Sequence, residues 1–233
     1  MSKVVGVIGG MGPAATVEFM ARVQTATPAK RDQDHLRLIV DCNPVVLDRN
    51  AAIAGAGPSP GPILAAMARG LELAGAEFLV MPCNAAHAFA GDIAAATDIP
   101  FVDLIETACA AALARGASRV GVLAADGCLQ AGLYQRGLAE RGAKTVVGSA
   151  QEQAEFMTLL YEIKAGARGG SPKERMRALA QGLVGAGADL ILAGCTEIGL
   201  VLAPEDVEVP LIDTLDVLAQ RTVAVALEPA ASP

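Results

Sequence analysis

Short apolar runs rich in β-branched residues alternate along this chain with stretches of helical period. Val4–Ile8 reads as a strand ending in Gly9-Gly10-Met11-Gly12-Pro13. After that turn, Thr16, Phe19, Met20 and Val23 recur at i, i+3, i+4 and i+7, one face of a helix. Leu36–Val40 is a second strand, closed by Asp41-Cys42-Asn43-Pro44. The stretch 54–62, AGAGPSPGP, is too rich in Gly and Pro for regular structure. Ile63, Ala66, Met67, Gly70, Leu71 and Ala74 then mark an amphipathic helix ended by Gly75, and Phe78–Met81 follows as a buried strand. Such alternation predicts an α/β protein whose parallel sheet is covered by helices on both faces.

The second half repeats the first. Arg119–Leu123 matches the first strand, and a helix over 173–186 carries Met176, Leu179, Ala180, Leu183 and Val184 on one face. At an offset of 112, Leu71 meets Leu183, Gly75-Ala76 meets Gly187-Ala188, and Cys83 meets Cys195. GAEFLVMPCN thus lies over GADLILAGCT, and IPFVDLIE (99–106) lies over VPLIDTLD (209–216) at an offset of 110. Element order, the shared Pro-x-x-Asp and the cysteine position together indicate two copies of one βα set. The expected division is residues 1–105 plus 209–233 as one domain and 106–208 as the other.

Composition narrows what such a pair could do. The 233 residues, 53% hydrophobic and 18% charged, supply ample core and exclude a disordered chain. No run approaches the roughly 18 apolar residues of a membrane span. The opening MSKVVGVIGG lacks a signal-peptide pattern, so a cytoplasmic protein is the expectation. Eighteen basic against twenty-five acidic residues give a net charge of −7, with no basic run for a nucleic acid. Five cysteines without a CxxC, and two scattered histidines, suggest neither a disulfide framework nor a metal centre.

The two aligned cysteines are different. Each follows a buried strand at its carboxyl end, where open α/β sheets place ligands. A helix starting just after would lower the thiol pKa. Most free cysteines are small buried hydrophobes, but two at symmetry-equivalent strand ends, followed by Asn84 and Thr196, favour function. Across a shared cleft, one thiolate could remove a proton from one face of a carbon while the opposed thiol returns one to the other. That inverts a stereocentre. The GGMGP turn, Asn84 and Thr196 are candidate donors for a substrate carboxylate. Cys109 reads as core; Cys42 and Cys128 lie near strand ends, where they could border a pocket.

GVIGGMGPAAT (6–16), MPCNAAH (81–87), YEIKAG (161–166) and AGCTEIGL (193–200) together resemble the cofactor-independent aspartate/glutamate racemase family. The resemblance implies two pseudo-symmetric flavodoxin-like domains with the active site between them, no pyridoxal phosphate or other cofactor, and a homodimer. It carries proton transfer onto Cys83 and Cys195. It assigns the α-carboxylate to Asn84 and Thr196, helped by Met11, Gly12, Pro13 and Thr16. It assigns the side-chain carboxylate of an acidic amino acid to Arg49 and Lys164, which would otherwise pass for surface cations. Two departures touch substrate preference: Ala85 replaces the Thr of PCNTAH, and LAADGC replaces LATxGT, putting Ala125 and Cys128 where hydroxyls are usual. His87 matches the motif, with a structural role as well supported as proton transfer.

Alternatives remain on the sequence. Gly10-x-Gly12-x-x-Ala15 after a strand suggests a dinucleotide site, yet Pro13 removes an amide donor and no acidic residue falls at the expected distance. Maleate isomerases and hydantoin racemases share the implied fold, arylmalonate decarboxylases use one cysteine, and a non-catalytic binding protein would leave the paired cysteines unexplained.

Overall fold

The computed structural model describes residues 2–229. The first half runs β1 (Val5–Gly9), α1 (Pro13–Ala26), β2 (Leu38–Cys42), α2 (Arg49–Ile53), α3 (Gly61–Leu73), β3 (Phe78–Val80), α4 (Ala90–Ala94) and β4 (Phe101–Val102). Helix α5 (Leu104–Ala114) leads to β5 (Arg119–Ala124), α6 (Asp126–Gln130), α7 (Leu133–Ala139), β6 (Lys144–Val146), α8 (Ala150–Lys164), α9 (Gly170–Gly185), β7 (Leu190–Gly194), β8 (Leu211–Asp213) and α10 (Thr214–Leu227). Two four-stranded parallel sheets result, ordered β2-β1-β3-β4 and β6-β5-β7-β8. The second strand lies two residues later than its apolar pattern suggested, because Ile8 and Gly9 pair with Asp41 and Cys42.

Strand alternation sorts side chains between two layers. Val5, Val7, Phe78 and Val80 pack with Phe19 of α1 and Leu215 and Leu218 of α10. Ile8 and Leu79 pack with Leu64, Met67 and Leu71 of α3. In the second sheet Leu123 and Ile191 meet Phe156, Leu159 and Leu183, while Val120, Val122 and Leu192 meet Ala108, Tyr134 and Leu138. The inner strands β1, β3, β7 and β5 after Arg119 are therefore buried on both faces, which explains their lack of polar alternation.

The internal repeat is visible atom by atom. A Cβ on Gly6 would lie 2.7 Å from Leu79, 2.8 Å from Ala76 and 3.3 Å from Leu71. A Cβ on Gly121 would lie 2.6 Å from Ile191, 3.0 Å from Ala188 and 3.1 Å from Leu183, the partners shifted by the offset seen in sequence. The Pro-x-x-Asp motif also has one job in both halves. Pro100 and Pro210 accept the amides of Leu79 and Ile191, and Asp103 and Asp213 cap the next helix through Ile105 and Leu215.

Those two helices change sides. Ile105, Ala108 and Ala112 of α5 bury in the second half, whereas Leu215, Leu218 and Ala219 of α10 bury in the first. The expected boundary at 208/209 therefore moves: β8 pairs with β7 in the second sheet, and the chain crosses only after Asp213. The other crossing lies at Asp103, ahead of α5. Gly6→Ala and Gly121→Ala should each destabilise the protein by about 1–3 kcal/mol through overpacking, read as a lower urea midpoint; an unchanged midpoint in either would contradict the packing.

Candidate active site

Each sheet reverses its strand order beside its first strand, between β1 and β3 and between β5 and β7. Ligands of open α/β folds bind at such points, beyond the carboxyl ends. The loops leaving β1, β3, β5 and β7 meet there. A chamber of about 40 Å³ is lined by Met11, Arg49, Cys83, Asn84 and Ala85 from the first half and Ala125, Lys164 and Gly194–Glu197 from the second. It has room for a few waters and not for an amino acid. Beyond it opens a vestibule of about 530 Å³ that includes Gly12, Pro13, Tyr161 and Arg168. Met11, Arg49, Asn50, Lys164 and Glu197 line both spaces, which adjoin there.

Both aligned cysteines face the chamber and are free thiols. The turns after them are short 3-10 segments, Ala85–Phe89 and Ile198–Leu200, rather than the expected helices. A macrodipole of useful size does not develop over so few residues, and the Cys195 thiol is pushed well above its ordinary value instead. Burial is the first cause and the Glu197 carboxylate the second, with Lys164 working against both. Cys195 Sγ donates to Glu197 Oε2 at 3.0 Å, and Thr196 Oγ1 donates to the same oxygen at 3.2 Å. The other oxygen, Oε1, pairs with Lys164 Nζ.

Helix α8 delivers that lysine. Ser149 and Glu152 form a capping box at its start, and Lys164 ends its last turn. Burial alone would lower the Lys164 pKa, but the Glu197 carboxylate, through its charge and its hydrogen bond, leads the effects that more than reverse this. Burial likewise works against the Glu197 carboxylate, and Lys164 brings its pKa below the usual range. The pair is thus a held ion pair.

Arg49 comes from the first half. Asp48 caps α2 by accepting the Asn50 and Ala51 amides, and Arg49 Nη1 donates to the Val46 and Leu47 carbonyls at 3.1 and 3.0 Å. Its buried Nε has no hydrogen-bond partner among the described residues. Asn50 Oδ1 accepts the Gly127 amide at 3.0 Å, tying the halves together beside the chamber.

Several sequence candidates do other work. Asn84 lines the chamber, but its Oδ1 accepts from Tyr134 Oη and its Nδ2 donates to Thr214 Oγ1 at 3.3 Å. Thr16 lies off both cavity walls: Oγ1 accepts the Gly10 amide at 2.8 Å and donates to the Gly12 carbonyl, bracing the β1–α1 turn. In that turn Gly10, at φ +94°, leaves no space for a Cβ against the Asn43 backbone. Met11 and Gly12 do reach the site, and a Cβ on Gly12 would lie 3.5 Å from Glu197 Oε1. Cys128 and Cys109 sit in the core of the second half, their thiols pushed up to about 12 by burial. Cys42 is exposed, so neither it nor Cys128 borders the chamber.

His87 is fully engaged. The Leu104 amide donates to Nε2 at 3.1 Å, so Nδ1 carries the proton and donates to the Cys83 carbonyl at 2.8 Å. It fixes the Cys83 turn to the start of α5 and has no free nitrogen for proton transfer. Sequence reasoning missed Glu197 and Asn50. The signal for Glu197 was present: it is the lone charge between Leu190 and Leu202, and it is 4% exposed.

The chain as a whole is similar to several known proteins. A family profile described as Asp/Glu/Hydantoin racemase matches residues 8–222. The broad specificity amino-acid racemase RacX of Bacillus subtilis is 26% identical over 230 residues, covering 96% of this chain and 98% of that one. The Picrophilus torridus aspartate racemase structure superposes with a TM-score of 0.85 at 26% identity, covering 96% and 94% of the two chains. An aspartate racemase homologue from Pyrococcus horikoshii gives 0.80 at 25%, covering 98% and 100%.

Burial lowers the His87 pKa from its ordinary 6.5, with Asp103 and the Cys83 carbonyl opposing less strongly. The unfolded chain therefore takes up this proton first, and the stability His87 contributes is complete above pH ~6.5 and falls as pH drops below it. His87→Asn, which does not titrate, should flatten that part of the stability–pH curve measured by urea unfolding. An identical acid slope in wild type and variant would show that His87 is not the group responsible.

Proposed function

This chain belongs to the Asp/Glu/Hydantoin racemase family, and we propose that it racemises aspartate and/or glutamate through Cys83 and Cys195 without a cofactor. Membership makes it an isomerase acting on amino acids. The observation that carries the finer reading is the placement of two free cysteines, one from each half, on one small buried chamber.

The reaction follows from that placement. Cys83, as thiolate, takes the α-hydrogen and becomes a thiol. The electron pair left on the α-carbon delocalises into the carboxylate. Cys195, resting as a thiol, gives its proton to the opposite face and becomes the thiolate. One proton has left and one has arrived, the configuration is inverted, and the cysteines have exchanged states. Charge on the carboxylate needs fixed donors. With the Asn84 amide engaged by Tyr134 and Thr214 and the Thr196 hydroxyl by Glu197, we assign this role to main-chain amides at the starts of the turns after Cys83 and Cys195, with Asn84 and Thr196 holding those turns in place. Arg49, with its unpartnered Nε, is the donor for a side-chain carboxylate, and Lys164 shares that role when Glu197 releases it. The chamber alone is smaller than an amino acid, so the substrate would extend toward the adjoining vestibule past Met11, Arg49, Lys164 and Glu197.

A wider amino-acid range is the second reading. Glu197 already neutralises Lys164, and Ala85 and Ala125 make the chamber less polar. A homodimer and a cytoplasmic setting belong to the same proposal. The latter suits a mechanism needing two reduced thiols, and no helix among the described residues is long and apolar enough to cross a membrane.

Chiral chromatography of each enantiomer of aspartate, glutamate and a panel of neutral amino acids tests the reading. Interconversion of an acidic pair is expected, and no turnover of either would refute the substrate assignment. Cys83→Ala and Cys195→Ala should each lose turnover by ~10³-fold or more; full activity in either would end the two-cysteine mechanism. Arg49→Met should raise KM for acidic substrates by about 10–100-fold and leave neutral ones little changed, whereas equal effects on both classes would remove Arg49 from side-chain recognition.

A further inference from the structure

Glu197 belongs to neither half of the proton-transfer pair, yet it touches one member of it. Its Oε2 accepts from Cys195 Sγ at 3.0 Å, and its Oε1 is held by Lys164. The Cys83 side of the chamber has no such carboxylate: the acidic residue lining the chamber is Glu197, and it stands against Cys195. We propose that Glu197 is a positioning residue that breaks the symmetry of the two cysteines, keeping the proton on Cys195 so that Cys83 is the thiolate of the resting enzyme. This rests on the two-cysteine reading above.

The physical case is one of hydrogen-bond polarity. An ionised carboxylate accepts and does not donate. A Cys195 thiol fits that acceptor; a Cys195 thiolate would face it as a second anion at 3.0 Å. Lys164 keeps Glu197 ionised, because a neutral acid there would leave the ammonium without its partner. The other groups around Cys195 do not reverse this preference. Tyr134 of α7 is buried and neutral at ordinary pH, Lys164 of α8 is paired to Glu197, and Arg49 of α2 is shared across the chamber wall. Cys83, from the opposing turn, gains from Cys195 remaining neutral. The elevated Cys195 pKa agrees with this arrangement, burial contributing most and Glu197 next.

The inequality has a kinetic signature. The equilibrium constant of a racemisation is one, so kcat/KM is the same in both directions and carries a single pH profile. With Cys195 holding its proton against Glu197, the alkaline limb of that profile belongs to Cys195. Removing the Glu197 charge while keeping its size lowers that limb.

The test uses the intact protein and iodoacetamide, which reacts with thiolates, with peptide mass spectrometry reporting Cys83 and Cys195 separately across pH. In the wild type Cys83 should be alkylated first, and Cys195 only at higher pH. In Glu197→Gln, alkylation of Cys195 near pH 8 should accelerate by about tenfold or more, the effect of one pKa unit on the thiolate fraction, and the alkaline limb of kcat/KM should fall by a similar interval. Glu197→Asp, which keeps the charge, should retain the wild-type order and remains informative if Glu197→Gln does not fold. Alkylation of both cysteines together in the wild type, or an unchanged Cys195 profile in Glu197→Gln, would overturn the proposal. Because alkylation needs no turnover, an inactive protein with the expected alkylation order would refute the racemase reading and leave the role of Glu197 standing.

Discussion

Helices α5 and α10 each leave the half whose last strand precedes them and bury against the other half, and the site exists because of that exchange. Each sheet completes its second helical layer with a helix donated across the boundary. Neither half has a closed core alone, so the halves are held with their strand ends facing one cleft. The capping carboxylates Asp103 and Asp213 stand at the two crossings. Arg22 of α1 reinforces one of them, reaching Asp213 at 2.5 Å and Asp216 at 2.8 Å. On the opposite crossing His87 joins the Cys83 turn to Leu104. The elements that lock the halves together are thus bonded directly to the segments that carry the chemistry.

Within the cleft, symmetry of the fold is combined with asymmetry of charge. Gly6 and Gly121, Pro100 and Pro210, and the two cysteines occupy matching places. Inversion needs that match, since the α-carbon must be reached from both faces. A thiol and a thiolate must coexist, however, and matched surroundings would favour neither distribution of the proton. Glu197 and Lys164, both from the second half, remove that degeneracy. The same ion pair lines both the chamber and the vestibule, so one pair of side chains stands beside the reacting sulfur and the space through which a substrate would reach it. With a net charge of −7, the molecule as a whole does not attract an anion, which leaves substrate recognition to a few local donors.

Much of the architecture was legible in the chain. Apolar runs without polar alternation pointed to sheets buried on both faces, and the repeated GAEFLVMPCN and GADLILAGCT located the paired strand ends. What escaped was pairing that no local pattern encodes. Residues 209–213 fall in the first domain on the sequence division, but β8 is placed by its hydrogen bonds to β7. Thr16 and Asn84 have the right chemistry for a ligand, and their bonds to Gly10, Gly12, Tyr134 and Thr214 become visible only in three dimensions. Glu197 was overlooked because an acid beside a nucleophile's motif reads as surface until its burial is known.

The central claim is that the proton leaves from one face and arrives at the other through different sulfurs. Racemisation of a single enantiomer in deuterated water, followed at early times by mass spectrometry after chiral separation, tests it most directly. The proton removed goes to one sulfur and the proton delivered comes from the other, which has exchanged with solvent, so the product enantiomer should take one deuterium per turnover while the remaining substrate stays unlabelled. Equal early labelling of both enantiomers, or product formed with its original hydrogen retained, would contradict two opposed cysteines and point to a single group acting on both faces.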